Sequence, residues 1–363
     1  LVSVKSMFNP NRLNQARLRR RLTGKALAER AGLAQDTVSR LERGLHDPEE
    51  GSVAALAAAL DYPEDYFYLG DPVDLDADSV SFRSLSKMSV KERDAACSAG
   101  SLGLQLCQWV EERFALPGPD LPDLSYETDP EAAAVALRQH WGLGQKPIGN
   151  MIGLLEVNGI RVLSLAENTA QVNAFSFWRD DRAYIFLNNF KTPESSIFDS
   201  AHELGHLVLH RHAGTRVDRN AEREADAFAA HFLMPRHDVL ARVMRPVTVD
   251  VVLKAKGRWR VSAMAMAYHL RTLERLSDYQ YKSLVIEMSR RGYRSGEPLG
   301  IERESSIIWR KVLAQLWSEK VTRADIAREL SLPLDEIQSL LWGLTVGPTE
   351  RVDPNEKTQL ASI

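Results

Sequence analysis

Two histidines four residues apart with a glutamate after the first, His202-Glu203-Leu204-Gly205-His206, constrain this chain more than any other feature. At that spacing both imidazoles lie on one face of a helix and reach a single Zn²⁺. The glutamate between them is not a ligand; it is the base for an attacking water. Leu204, Leu207, Val208 and Leu209 supply an apolar face, so the helix is predicted to be buried. Gly214 closes it after His210-Arg211-His212, whose two histidines read as a helix-end cap.

A second helix follows. Ala225, Phe228, Ala229 and Phe232 repeat at helical spacing and stop before Pro235. Its first turn offers Glu222 or Glu224 as the third metal ligand. Glu222 is preferred, because it shares a face with Ala225 and Ala229. Asp226, one turn further on, is placed to hold a ligand histidine from behind. Together these features predict a zincin site.

Composition bounds the rest. The chain has 363 residues, enough for two or three domains, and its 46 basic against 49 acidic residues imply no global affinity for polyanions. Cys97 and Cys107 match no ligand pair and no disulfide scaffold, which points to a reducing compartment. No apolar run reaches the roughly 18 residues of a membrane span, and the polar, basic Asn9 to Leu22 stretch is no signal peptide. A cytoplasmic protein with no membrane partner is expected.

Charge is uneven, however. Residues 1–46 carry ten Lys/Arg against three acids, a surplus of seven. That is the footprint of phosphate contacts, Arg19 among them. Around it, Leu13, Ala16, Leu18 and Leu22 predict one helix. Thr23 caps a second over Lys25 to Ala31, Gly32-Leu33 turns, and a third runs from Gln35 to Arg43. With residues 52–60 and Pro63 to Tyr68 this makes a five-helix domain containing a helix-turn-helix, whose second helix enters the major groove.

Ala28-Glu29-Arg30-Ala31-Gly32-Leu33 and Thr37-Val38-Ser39-Arg40-Leu41-Glu42-Arg43-Gly44 resemble the XRE helix-turn-helix family. The resemblance implies base-edge contacts from Gln35, Asp36 and Arg40, phosphate or sugar contacts from Thr37 and Ser39, and a further DNA contact from Arg43. Two positions depart from the pattern. Asp36 is acidic where a neutral residue is usual, and Ala34 replaces a capping Ser or Thr, which costs the helix about 1 kcal/mol.

The remainder resembles regulator-fused ImmA/IrrE-family metallopeptidases. The likeness rests on Asn173-Ala174-Phe175-Ser176-Phe177 with Tyr184-Ile185-Phe186-Leu187-Asn188, the Phe198 to Leu209 helix, Glu222 to Pro235, Trp259-Arg260-Val261-Ser262 and Glu297-Pro298-Leu299-Gly300. It implies a bacterial zinc endopeptidase that cuts a repressor or antitoxin-like protein, or itself, to switch genes on after stress. His202, His206 and Glu222 would be the ligands and Glu203 the base. A homodimer on operator DNA is the matching assembly. The alternative is a transcription factor whose zincin domain senses a ligand or partner without turnover.

The expected fold is mainly α with a small β-sheet (α+β). The helix-turn-helix domain spans 1–70, a linker and helical connector 71–125, the zincin-like peptidase domain 126–245 and a helical C-terminal domain 246–363. Helices are predicted over Leu85 to Phe114, Glu131 to Trp141 and Ile148 to Asn158. Strands are predicted at Ile160 to Leu163, Ala174 to Trp178 and Ala183 to Leu187, the last two a hairpin about Asp180-Asp181. Tyr184 and Phe186 read as core, and Trp109, Trp141 and Trp342 as core or interface anchors.

Overall fold

The computed structural model describes residues 7–75, 81–82, 89–165, 174–212, 219–294 and 296–345. Gly214, expected to close the metal-binding helix, and residues 76–78 of the acidic linker lie outside them.

Four helices and a 3-10 turn open the chain: α1 (Pro10–Arg19), α2 (Gly24–Ala31), α3 (Gln35–Glu42), α4 (Ser52–Leu60) and Glu64–Tyr68. The sequence explains their ends. Asn9 caps α1 with Pro10 in the first turn, and Thr23 Oγ1 accepts from Ala26 N at the start of α2. Gly32 closes α2 at φ 67°, a left-handed position that suits glycine. With Ala34 before it, α3 has no side-chain cap. Leu13, Ala16, Leu27, Val38, Leu41 and Leu56 form the small core with no solvent exposure.

The middle of the chain holds β1 (Ser81–Phe82), α5 (Val90–Glu111), α6 (Pro130–His140), α7 (Met151–Val157), β2 (Ile160–Ser164), β3 (Ala174–Arg179), β4 (Arg182–Leu187), α8 (Pro193–Leu209) and α9 (Arg219–Leu233). The sheet order is β1-β3-β4-β2, with β2 parallel to β4 and the other two pairs antiparallel. Asp180 and Asp181 turn the β3–β4 hairpin at φ 47° and 56°, as a two-residue turn with both residues left-handed requires. Tyr184 and Phe186 are core residues. Gly103 of α5 lets that helix settle on the sheet, since a Cβ there would stand 2.6 Å from Phe186 Cζ.

Helices alone follow: α10 (Arg236–Arg242), α11 (Val249–Trp259), α12 (Ala263–Thr272), α13 (Asp278–Arg290), α14 (Ile307–Ser318), α15 (Arg323–Glu329) and α16 (Leu334–Leu341). This segment is bound to the middle of the chain by exchanged caps. The Glu304 carboxylate accepts from Met151 N and Ile152 N at the start of α7, while Glu156 of α7 accepts from Ile307 N and Ile308 N at the start of α14. Each carboxylate meets the orphan amides and positive end of a helix, which compensates its burial. Among the described residues, no helix is long and apolar enough to cross a membrane.

One expectation is corrected. Arg19 does not face outward for DNA phosphate; its Nε donates to Glu336 Oε2 of α16 at 2.8 Å. Arg20 Nη1 donates to Asp335 Oδ2 at 2.6 Å, and Arg17 pairs with Glu42. A charge count along the sequence could not register this, because the neutralising acids of α16 are 315 and 317 residues away.

Candidate metal centre and nucleic-acid interface

α8 begins at a Thr192 cap with Pro193 in its first turn and brings His202, Glu203 and His206 under the sheet, all buried. Gly205 sets how closely α9 packs. A Cβ there would stand 3.2 Å from Ala225 Cα and 3.0 Å from Phe228 Cδ1, so any side chain would push α9 and its acids away from the histidines.

The Nε2 atoms of His202 and His206 face each other at 3.1 Å. Glu222 joins from α9, with Oε1 3.3 Å from His206 Nε2 and Oε2 3.6 Å from His202 Nε2. One donor atom from each of the three lies within 4.8 Å of the others. A tetrahedral zinc with bonds of about 2.0–2.1 Å needs donors about 3.3 Å apart, and the separations bracket that value. Glu222 Oε1 is sealed from solvent with no directed hydrogen bond, an orphan that a cation would satisfy. Burial lowers the His206 imidazole to about 4, which keeps it neutral with a lone pair to offer. The three residues therefore fit zinc.

Asp226 Oδ1 sits 2.9 Å from His202 Nδ1, which favours the proton on Nδ1 and leaves Nε2 to ligate. The other histidine has a support that sequence reasoning missed. His206 Nδ1 lies 2.9 Å from His210 Nδ1, and His210 Nε2 lies 3.0 Å from Glu224 Oε2. If the Glu224 carboxylate accepts from His210 Nε2–H, His210 Nδ1 can accept from His206 Nδ1–H, and His206 Nε2 again points its lone pair at the centre. His210 does cap α8, yet it also links to Glu224. Of the two acids weighed for the third position, Glu222 reaches the histidine pair and Glu224 reaches His210. The one sign in the sequence was His210 four residues beyond His206, on the same helix face. His212 pairs instead with Asp123 Oδ2 at 2.7 Å.

Glu203 is fully buried, with Oε2 accepting from Ser176 Oγ of β3 at 2.7 Å and Oε1 without a partner. Burial raises its carboxyl to about 7, against the opposing pull of His202 and the Ser176 hydrogen bond. A carboxylate poised near neutrality with one free oxygen can both take and return a proton. Ser176 was not singled out by its chemistry in the sequence, since a serine in an apolar strand carries no spacing signal.

At the other end of the chain, Gln35, Asp36, Arg40 and Arg43 are exposed along α3, with Thr37 and Ser39 half-buried on the same helix. Arg40 Nη1 is 3.9 Å from Asp36 Oδ2, and Arg43 Nε donates to Ser39 O at 3.1 Å. These exposed contacts are weak enough for a nucleic acid to replace.

Two helices presenting a pair of buried histidines and a half-buried glutamate beside a mixed sheet, with a carboxylate one residue from the first histidine, define a metallopeptidase-like domain. Residues 155–271 match the peptidase M78 family, described as an IrrE N-terminal-like domain, and residues 11–66 match a helix-turn-helix domain. The chain therefore carries a helix-turn-helix domain followed by an IrrE-like domain. No curated protein matches it.

Proposed function

We propose that this chain is a cytoplasmic DNA-binding regulator with a zinc-dependent endopeptidase, which cleaves a repressor or antitoxin-like protein to change gene expression. Residues 1–70 read an operator as a homodimer, 71–125 connect, 126–245 form the peptidase and 246–363 support it. The observation that carries the reading is the clustering of buried His202 and His206 with half-buried Glu222, and the unpartnered Oε1 of Glu203 beside them. Bound there, zinc supplies Lewis-acid polarisation of a peptide carbonyl and acidifies water. Glu203 takes a proton from the attacking water at Oε1 and returns it to the departing amide nitrogen. Ser176 holds Oε2, so only one oxygen is free to do this. Asp226 orients His202, and His210 with Glu224 orients His206.

Zinc content is the first test. The purified protein should carry about one zinc per chain, measured by elemental analysis. His202→Ala and His206→Ala should each abolish it, and Glu222→Gln should weaken it sharply. Retention of zinc in both histidine variants defeats the assignment. Glu224→Gln should lower affinity about 10- to 100-fold, the usual cost of losing an outer support, and not eliminate binding.

DNA binding is tested by fluorescence anisotropy on a pseudo-palindromic operator. Arg40→Ala should cost about 1–3 kcal/mol of discrimination between operator and unrelated DNA. Arg43→Ala should weaken both about equally and flatten the dependence on salt, because a phosphate contact carries no sequence information. Equal loss on both DNAs for Arg40→Ala removes it from the base-reading set.

A further inference from the structure

The chain contains the three-helix arrangement of its DNA-binding module twice. α14, α15 and α16 repeat α1, α2 and α3 at a constant offset along the sequence. α16 (Leu334–Leu341) is the counterpart of α3 (Gln35–Glu42), and α14 ends at Ser318 where α1 ends at Arg19. Arg21 and Lys320 turn the chain after the first helix at φ 55° and 63°, and Gly32 and Ser331 after the second at 67° and 52°. Thr23 Oγ1 accepts from Ala26 N at 3.1 Å, and Thr322 Oγ1 from Asp325 N at 3.2 Å. The later unit is not set to enter a groove, because α16 packs against α5 and β2 with Glu336 and Ile337 buried.

The two units differ in what covers their first helix. On α1, the face of Arg12, Gln15 and Arg19 is taken up by α5 and α16. Gln15 Nε2 donates to Ser101 Oγ at 2.6 Å, Arg12 Nη1 to Gln105 Oε1 at 3.2 Å, and Arg19 Nε to Glu336 Oε2. The counterparts on α14 are Lys311, Ala314 and Ser318, and all three are exposed. Beside them Trp317 is 64 % exposed, although tryptophan is the residue that most often anchors a contact.

The order of residues on this face says what fits it. Arg310, Leu313, Ala314 and Trp317 stand at i, i+3, i+4 and i+7, so they share one side of α14. A second α14 laid antiparallel, with a two-fold axis between Leu313 and Ala314, sets Arg310 against Trp317 of the partner subunit at both ends. Leu313 then meets Ala314 of the partner subunit in the middle, where the small side chain lets the helices approach. A two-fold contact requires this self-complementarity. The chain already uses the same pairing within itself, with Arg113 4.0 Å over the Trp109 ring and Arg211 4.0 Å over that of Trp178.

We infer that the open face of α14 is the contact between two copies of this chain. The inference rests on the homodimer of the proposed function, to which it gives a surface, and needs neither zinc nor DNA. One helix per copy buries less than the roughly 1,200 Å² of a standard interface, so the dimer is weak and reversible. α1 is fastened to α16 through Arg19–Glu336 and Arg20–Asp335. The α14 contact thereby sets the separation of the two α3 helices, and with it the half-site spacing.

The test is sedimentation velocity of the full chain from about 1 to 200 µM, the range in which so small an interface dissociates. The wild type should show a reversible monomer–dimer equilibrium. Trp317→Ala and Arg310→Glu should each raise the dissociation constant by at least about tenfold, as loss of a central anchor does, with melting temperature unchanged because both side chains are exposed. Lys282→Glu, on the exposed face of α13, should leave the equilibrium as it is. Ala314→Cys, next to the two-fold axis, should give a disulfide-linked dimer on mild oxidation, and Lys282→Cys should not. Dimers as tight in both α14 variants as in the wild type overturn the surface and leave the homodimer standing. A chain monomeric throughout overturns both. Failure of Ala314→Cys to cross-link in a chain that dimerises overturns the antiparallel docking.

Discussion

Glu203→Gln should reduce cleavage of a protein partner by about 10²–10⁴-fold, the usual contribution of a positioned general base, while zinc content and fold remain those of the wild type. The variant isolates the proton-transfer step, because Glu203 is not among the three clustered donors and glutamine keeps the shape and the Ser176 contact. The assay compares the two proteins on one partner repressor by mass spectrometry. Equal cleavage by both would remove Glu203 from the chemistry. Equal gene regulation in cells carrying either form would make the site sensory or structural.

The same variant has a signature that needs no substrate. In protein stripped of metal by a chelator, the folded state raises Glu203 to about 7 from an ordinary value of 4.5. Between those values the native state binds more protons than the unfolded state, so this group's contribution to stability falls as pH rises through 4.5 to 7. His206 has the opposite sign. Lowered to about 4 from 6.5, it binds fewer protons when folded, and its contribution rises with pH over that span. The two slopes oppose each other in the wild type. Glu203→Gln leaves His206 uncompensated, so the variant should gain on the wild type by about 3 kcal/mol between pH 4.5 and 7, at about 1.36 kcal/mol per pH unit across that window. Thermal melts at three pH values in chelator measure the gap, and a constant gap would show that Glu203 titrates normally.

How much of this site could be seen in the sequence depends on the distance over which each contact acts. His202 and His206 are separated by one helical turn, and the helix period alone puts them on one face. Glu222 and Asp226 followed from a second short helix with an apolar stripe. Thr23, Gly32 and the Asp180-Asp181 turn were equally local, and their elements lie where turn chemistry places them. Ser176, by contrast, meets Glu203 through the packing of a strand on a helix 27 residues away. His210 read as a helix-end cap and Glu224 as the second choice for the third ligand; that they bond to each other depends on how closely Gly205 lets α9 approach. β1 could not be foreseen at all, because two residues give no alternating pattern. The error over Arg19 has the same origin: a run of three arginines looks solvated until α16 is seen to lie against it.

Glu336→Leu should destabilise docking of the helix-turn-helix module by about 3–5 kcal/mol, the typical cost of removing one partner from a buried ion pair. The Glu336 side chain is 2 % exposed and that of Arg19 11 %, so solvent screens this pair little. Glu336 also lies 3.3 Å from Tyr62 Oη and 3.4 Å from Arg20 Nη1, and loses both contacts with the carboxylate. Leucine strips the Arg19 guanidinium of its nearest counter-charge in a desolvated pocket, with only the weaker pull of Asp335 acting in its place. That penalty, and not the worth of the pair, dominates the loss. The double replacement Arg19→Met with Glu336→Leu should therefore recover most of the stability, since two apolar chains of similar volume replace two desolvated charges. Arg20 keeps Asp335 throughout and acts as an internal control. Differential scanning calorimetry of the four proteins closes the cycle: the single variants should melt earlier, with the N-terminal module separating as its own transition, and the double variant should melt close to the wild type. If the double variant is as unstable as Glu336→Leu alone, the cost does not come from Arg19 losing Glu336, and the clasp between α1 and α16 must be held by packing instead.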